Sequence, residues 1–129
     1  MERKGAYEAQ IKNMPVGLER AIMRVLSYHR GREQAIGRSE LVRQVAQLGC
    51  AATERQVREE IKQLRRDGYL ICSAAGEDGG YYMAETLAEF EEFAQVEFIG
   101  KIADMSETLS RMRESANKNF GSGVQPALF

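Results

Sequence analysis

Arginine, glutamine and lysine side chains are concentrated in residues 53–67, TERQVREEIKQLRRD. A guanidinium group can donate two hydrogen bonds to one guanine edge, a glutamine amide can pair with adenine, and an ammonium group can neutralise a phosphate. Val57, Ile61 and Leu64 recur at helical spacing, so we predict a helix that buries these three side chains. The opposite face then carries charged side chains, namely Arg55, Glu59, Lys62 and Arg66, with Arg58 and Arg65 at its edge.

Such a charged face fits a helix that lies in the major groove of duplex DNA, where residues near the helix N-terminus read bases. We expect base contacts from Arg55, Gln56, Arg58 and Glu59, and phosphate contacts from Lys62 and Arg66. The alternative is a solvated helix in which side chains at helical spacing, such as Arg55 and Glu59, neutralise one another.

Charge is distributed unevenly along the chain, although the net charge of its 129 residues is only −1. Residues 18–66 contain 11 Lys and Arg against six Glu, whereas residues 67–107 contain ten acidic residues against Lys101 alone. A basic segment favours a polyanionic partner, and a separate acidic segment favours a different role. The alternative is that both segments are ordinary solvated surface.

The composition is that of a globular protein, with 43% hydrophobic and 29% charged residues. The length suits one compact domain with an appendage and is too short for a large two-domain enzyme. The chain has no apolar run of the roughly 18–20 residues that a membrane span needs, and its first residues lack the apolar region of a signal peptide. We therefore expect a cytoplasmic protein without a membrane partner, in which Cys50 and Cys72 are reduced.

Catalytic and metal-binding patterns are missing from the sequence. His29 is the single histidine and falls at the apolar edge of a predicted helix, while Cys50 and Cys72 lack the spacing of a zinc site. No phosphate-binding Gly loop followed by Lys-Ser/Thr occurs, and no Ser or Cys nucleophile motif. The glutamates within residues 89–92 fall on a solvated helix with no second group converging on them. We predict that the chain is not an enzyme and holds no metal or cofactor.

Four segments are predicted along the chain: a lead-in over 1–15, a folded domain over 16–85, a long helix over 86–119 and a tail over 120–129. In the lead-in, Tyr7, Ile11 and Met14 have the spacing of a short helix that docks on the main body. The tail combines Gly-Ser-Gly with Pro126, which is typical of a mobile terminus.

Three amphipathic helices are predicted in the folded domain, the first within 16–31, the second within 38–49 and the third being the charged helix described above. The predicted inward residues of the first two are Leu18, Ile22, Val25, Leu26 and His29, then Leu41, Val42, Val45 and Leu48. The second helix begins at Gly37 or at Arg38-Ser39. Thr53 and Gln56 form a capping-box pattern that opens the third helix.

Short β-strands are predicted beside these helices. Ala35-Ile36 is a candidate strand, and residues 69–73 and 81–84 have the composition of a hairpin around a Gly- and Asp-rich loop. Alternation along the second hairpin strand would turn one ring of Tyr81-Tyr82 toward the core and the other toward solvent. The pair could act as a base-stacking platform, but packing within the hairpin is the favoured interpretation. The predicted fold class is therefore mainly α with a small β-hairpin and a long C-terminal helix.

The order helix, short strand, helix, tight turn, helix and hairpin resembles the winged helix-turn-helix family of DNA-binding domains over residues 16–85. The phrase LRRDGYLICS followed by GGYYMA is similar to small bacterial and phage proteins of that class, in which a charged third helix ends in Gly and runs into an aromatic-rich wing. The resemblance implies double-stranded DNA as the partner and a role in regulating transcription or replication. Because a helix start favours an anion, further phosphate contacts are expected from Arg38, Ser39 and Arg43.

The tip of the predicted wing is acidic, with the sequence Glu77-Asp78-Gly79-Gly80. An acidic tip would be repelled by DNA, so the wing either stays away from the duplex or contacts a protein. Several winged helices are protein-interaction modules. An adaptor that recruits a protein partner is therefore the alternative function.

A long helix is predicted from Leu87 to about Asn119, opened by a capping-box pattern at Thr86 and Glu89. Its apolar residues follow at steps of four and three, which is a heptad seam: Phe98, Ile102, Met105, Leu109, Met112 and Ala116. A folded domain of about 70 residues cannot cover a helix of about 30 residues along its whole length. We predict a homodimer through this seam, parallel or antiparallel. The alternative is that the helix folds back on the lead-in segment.

Three apolar residues at the start of this helix, Phe90, Phe93 and Ala94, break the heptad register and are predicted to anchor the helix on the folded domain. Gly100 costs about 1 kcal/mol relative to Ala in a helix interior and could mark a kink or a close crossing. Two domains joined by such a helix would suit a DNA site with two half-sites.

The last five residues, QPALF, resemble the pentapeptide Gln-x-x-Leu-Phe with which bacterial replication and repair proteins bind the sliding clamp. Gln125, Leu128 and Phe129 match that pattern, whereas Pro126 stands where a Leu-like residue is usual. The resemblance implies the sliding clamp as a partner. The alternative is a chain terminus whose Leu-Phe packs opportunistically.

Overall fold

A computed structural model of the chain describes residues 2–75 and 79–121, with side chains from Tyr7 onward. The α-helices are α1 (Glu2–Lys12), α2 (Leu18–Leu26), α3 (Arg38–Gln47), α4 (Glu54–Arg66), α5 (Leu87–Ala94) and α6 (Gly100–Phe120). A 3-10 turn (Arg32–Gln34) and a π-helical turn (Gln95–Ile99) complete the helical elements of this part. The strands are β1 (Ile36–Gly37), β2 (Ile71–Ser73) and β3 (Gly80–Met83), paired antiparallel in the order β1-β3-β2. The predicted fold class, mainly α with a small β element and a long C-terminal helix, is confirmed.

The described residues form two compact units, the first ending at Phe93 and the second beginning at Ala94. The core of the first unit lies between α2, α3 and α4, which contribute the fully buried side chains Ile22, Met23, Leu26, Leu41, Val45, Ile61 and Leu64. Helix α1 adds Tyr7, Ile11 and Met14 to this core, which confirms the predicted docking of the lead-in. The Tyr7 hydroxyl also donates a 2.6 Å hydrogen bond to the Ala84 carbonyl.

Two residues predicted to face inward lie outside the helices that were expected to carry them. Helix α2 ends before His29, whose ring Nδ1 lies 2.7 Å from the carbonyl oxygen of Gln34. Helix α3 ends before Leu48, which is exposed because the chain turns away at Gly49 with a φ of +93°. Glycine adopts this left-handed backbone without steric cost, so it ends the helix.

Strand β3 is central in the sheet, with Ile36 of β1 opposite Tyr81 and Cys72 of β2 opposite Tyr82. The chains approach closely where β3 begins. A methyl group on Gly80 would collide with the carbonyl oxygen of Ile36, so this strand pairing requires glycine.

Both faces of β3 are covered. Tyr81 packs in the helical core, and Tyr82 packs in a second apolar cluster with Phe90 and Phe93 of α5. The prediction that one ring of the pair faces solvent is wrong, because α5 covers the second face of the sheet. The predicted anchoring by Phe90 and Phe93 is confirmed. Burial raises the pKa of Tyr82 to about 12 and that of the adjacent Cys72 to about 11.

The start of α5 forms half of the predicted capping box. The Glu89 N–H donates to Thr86 Oγ1 at 3.1 Å, as expected of such a cap. The Glu89 carboxylate instead accepts hydrogen bonds of 2.8 Å from the N–H groups of Glu85 and Arg32. This side chain therefore joins α5 to the 3-10 turn before β1.

The predicted single helix over 87–119 is interrupted by the π-helical turn, after which α6 begins at Gly100. A methyl group on Gly100 would lie 3.3 Å from the Gln95 carbonyl oxygen, which is tighter than an ordinary contact. None of the α6 side chains is buried in the described part of the chain. The predicted seam residues are accordingly exposed: Phe98, Ile102, Met105, Leu109 and Met112.

Candidate nucleic-acid interface

Helix α4 is held at its N-terminus by a complete capping box. The Gln56 N–H donates to Thr53 Oγ1 at 3.0 Å, and the Thr53 N–H donates to Gln56 Oε1 at 2.9 Å. This confirms the predicted cap. The Gln56 amide oxygen is consequently occupied, and its NH₂ group is left as the donor that this side chain can offer to a ligand.

The apolar face of α4 is buried as predicted, with Val57, Ile61 and Leu64 at most 2% exposed. The opposite face is therefore directed to solvent, because a helix places these two sets of positions on opposite sides. The exposed side chains on it are Arg55, Gln56, Arg58, Glu59, Lys62 and Arg66.

The exposed cations of α4 are largely uncompensated. Lys62 Nζ lies 3.9 Å from a Glu59 carboxylate oxygen, at the limit of an ion pair, with both side chains well exposed. Arg55, Arg58 and Arg66 form no ion pair or hydrogen bond through their side chains with residues 7–75 and 79–121. The alternative in which Arg55 and Glu59 neutralise one another is thus not formed within this part of the chain.

Arg65 differs from the other arginines of α4 because it belongs to the scaffold. Its Nε donates a 2.8 Å hydrogen bond to the Ile71 carbonyl, and one Nη lies 3.4 Å from Ser73 Oγ. The guanidinium carbon also lies 5.1 Å from the ring centre of Phe93 and 5.9 Å from that of Tyr81. Its predicted place on the exposed face is wrong, and the side chain joins α4 to β2 and α5.

The start of α3 lies next to the start of α4. Gly37 is the N-cap of α3, which decides between the two predicted starts. Arg38 and Ser39 are both exposed, and the Ser39 hydroxyl donates a 3.2 Å hydrogen bond to a Glu54 carboxylate oxygen. A shallow cleft between the two helices is lined by Arg38, Val42, Glu54, Val57, Arg58 and Tyr81. One arginine from each helix thus borders the same cleft.

Arg43 is exposed on α3 but is occupied by its own helix. Its Nε donates a 3.0 Å hydrogen bond to Glu40 Oε1, and its Nη2 donates to the other carboxylate oxygen. Gln44 Nε2 donates to the same carboxylate at 2.9 Å. These hydrogen bonds lower the pKa of Glu40 to about 2. A phosphate would have to compete with Glu40 for this guanidinium group.

Several predicted contact residues lie outside the described part of the chain. They include Glu77 and Asp78 of the acidic wing tip and the tail residues Gln125, Leu128 and Phe129. Within the described residues, no helix is both long and apolar enough to span a bilayer. The same residues contain no group of three His, Cys, Asp or Glu side chains arranged to hold a metal ion.

Comparison of the chain with known protein families, with curated proteins and with solved structures finds no match. The functional argument therefore depends on the geometry of α3, α4 and α6 alone.

Proposed function

We propose that this protein binds duplex DNA with the exposed face of α4, as a winged helix-turn-helix regulator of transcription or replication in the cytoplasm of a bacterium. The observation that carries the proposal is the set of uncompensated cations on a helix whose other face is buried. Arg55, Arg58 and Arg66 project from α4 without an ion pair to the described residues, and Lys62 lies between them along the helix. Clustered like charges repel one another, so such a surface favours an anionic partner.

The position of each cation along α4 suggests its role. Arg55 and Arg58 lie in the first two turns after the Thr53 cap, the part of a recognition helix that reaches base edges. Lys62 and Arg66 lie in the last two turns and suit phosphate contacts. Arg38, which borders the same cleft as Arg58, extends the basic surface to the start of α3.

A binding measurement with a matched control tests this proposal. A duplex selected by the wild-type protein from a random-sequence pool is labelled and titrated by fluorescence anisotropy. We expect the triple variant R55A/R58A/K62A to lose affinity by a factor on the order of 100 or more, with a shallower salt dependence. The control K12A/R24A/K101A removes the same number of charges from exposed positions away from α4 and should bind within about threefold of wild type.

The result that would overturn the proposal is equally defined. Unchanged binding by the α4 triple variant, with both variants showing wild-type thermal unfolding, would remove α4 from the interface. An equal loss in both triple variants would show that only total charge matters. Each result would leave no basis for a recognition helix.

We further propose that the protein is a homodimer through α6. The support is the exposure of an apolar residue at each heptad position from Ile102 to Met112 in a helix with no buried side chain among the described residues. Sedimentation of the full chain checks this, and a monomer at micromolar concentration would contradict it.

The second candidate function is a protein-interaction adaptor. It is favoured by the apolar surface of α6 and by the match of the tail residues Gln125, Leu128 and Phe129 to a clamp-binding pentapeptide. Deleting residues 125–129 should then abolish capture of purified sliding clamp. Clamp capture by the full chain, without any retardation of duplex DNA, would favour this function over DNA recognition.

A further inference from the structure

Four apolar side chains form one stripe along α6, which we call the seam: Ile102, Met105, Leu109 and Met112. They are 64%, 71%, 44% and 64% exposed, and their spacing of three, four and three residues is the heptad period. Large apolar side chains at every seam position leave water in contact with a continuous apolar strip, so covering the strip is favourable. A helix with a period of 3.5 residues is best covered by another helix of the same period.

Charge along α6 and the π-helical turn decides which way a second copy would run. Residues 95–107 contain three acidic side chains and Lys101, whereas residues 108–120 contain three basic side chains and Glu114. A parallel pair would place acidic half beside acidic half and basic half beside basic half. An antiparallel pair places each acidic half beside a basic half, and it also opposes the two helix dipoles.

The seam itself has a preferred antiparallel register. In an antiparallel pair of heptad helices, alternate seam positions face each other across the interface. Centring the pair on Glu107 brings Met105 opposite Leu109 of the partner subunit and Ile102 opposite Met112 of the partner subunit. All four seam residues are then buried. A shift of one heptad in either direction would leave part of the seam uncovered.

The side chains nearest the resulting two-fold axis fit this register. Ser106 and Thr108 flank the seam at its centre, and near the axis each faces its own copy. Both are small and uncharged, so neither creates a like-charge contact. Lys101 and Arg113, which flank the seam toward its ends, are brought near Ser115 and Ile99 of the partner subunit and not near their own copies.

We infer that a second copy of this chain packs antiparallel on the seam, with the two-fold axis at Glu107. The inference rests on the homodimer proposed above and assigns its orientation and register. Seam layers of Ile102 with Met112 and of Met105 with Leu109 repeat symmetrically about the axis.

Disulfide trapping in the full chain tests the orientation. Ile102→Cys and Met112→Cys chains carrying different tags are mixed under reducing conditions and then oxidised. We expect a covalent heterodimer, because the two positions face each other in the proposed register. Either variant alone should stay uncrosslinked, since its two copies would be about 15 Å apart along the axis and a disulfide needs Cα atoms within about 7 Å.

A third variant reports on the axis itself. Thr108→Cys should crosslink with its own copy, and wild type supplies the background from Cys50 and Cys72. Self-crosslinking of Ile102→Cys and of Met112→Cys, without the heterodimer, would overturn the antiparallel inference and keep the homodimer. Sedimentation of every variant and of wild type as monomers would overturn the homodimer as well. A heterodimer without Thr108→Cys crosslinking would overturn the register.

Discussion

The Arg65 guanidinium donates a 2.8 Å hydrogen bond to the carbonyl oxygen of Ile71, whereas its neighbour Arg66 is directed to solvent. Two adjacent residues of the same type thus have different environments on α4. One is enclosed by β2 and the aromatic rings of Tyr81 and Phe93, and the other faces outward near the end of the helix. The structure consequently separates cations that hold the fold together from cations that are available to a ligand.

This neighbouring pair provides a first prediction. Arg65→Ala should lower the free energy of unfolding by about 1–3 kcal/mol, because it removes a hydrogen bond and two ring contacts and leaves the Ile71 carbonyl without that donor. Arg66→Ala should change stability by no more than about 0.5 kcal/mol and should reduce DNA affinity and its salt slope. Urea unfolding and anisotropy titrations measure the two effects. Equal destabilisation by both substitutions would contradict the assignment.

The capping box of α4 provides a second prediction. Thr53→Ala removes the hydroxyl that accepts the Gln56 N–H and should cost about 1 kcal/mol of stability. Thr53→Ser keeps the acceptor and should restore most of that loss. Thermal unfolding of the two variants measures the difference. If the serine variant were as unstable as the alanine variant, the hydroxyl would not be the stabilising group.

Close packing at Gly80 provides a third prediction. Gly80→Ala places a methyl group against the carbonyl oxygen of Ile36 and should destabilise the protein by about 2 kcal/mol or more, because strand β1 must move. Gly37→Ala is a matched control, since a methyl group there meets no atom within 4 Å. It should cost no more than about 1 kcal/mol, the usual effect at an N-cap. Chemical denaturation compares the two variants, and equal effects would exclude the steric explanation.

The buried thiol provides a fourth prediction, on pH. Burial raises the pKa of Cys72 from 9.0 to about 11, so folding keeps a proton that the unfolded chain releases. The contribution of this group to stability is therefore complete below pH 9 and falls as pH rises toward 11. Unfolding measured from pH 8 to pH 10 should show a slope that Cys72→Ala reduces. A slope that is unchanged in the variant would assign it to other groups.

The same thiol should resist alkylation in the folded protein, because the thiolate is the reactive species and the side chain is fully buried. Iodoacetamide at neutral pH should label Cys50, which is partly exposed, before Cys72. Peptide mass analysis separates the two sites. Rapid labelling of Cys72 without unfolding would contradict its burial.

Local sequence patterns determined most of the helices of this protein. Apolar residues at helical spacing identified the buried face of α4, and the Thr53–Gln56 pattern identified its first turn, because both depend on interactions within a few residues. The docking of α1 was likewise encoded in the spacing of its three apolar residues. The heptad positions of α6 could be read from the sequence for the same reason.

Tertiary structure decided what each surface position faces. Periodicity placed Arg65 at the edge of the exposed face and gave Tyr82 a solvent-facing ring, but β2 and α5 cover both residues. The carboxylate of Glu89 left its predicted cap for the Arg32 N–H, a partner 57 residues away in sequence. A periodic pattern reports which side of an element is apolar, whereas the packing of distant segments determines which polar side chains remain free to meet a ligand.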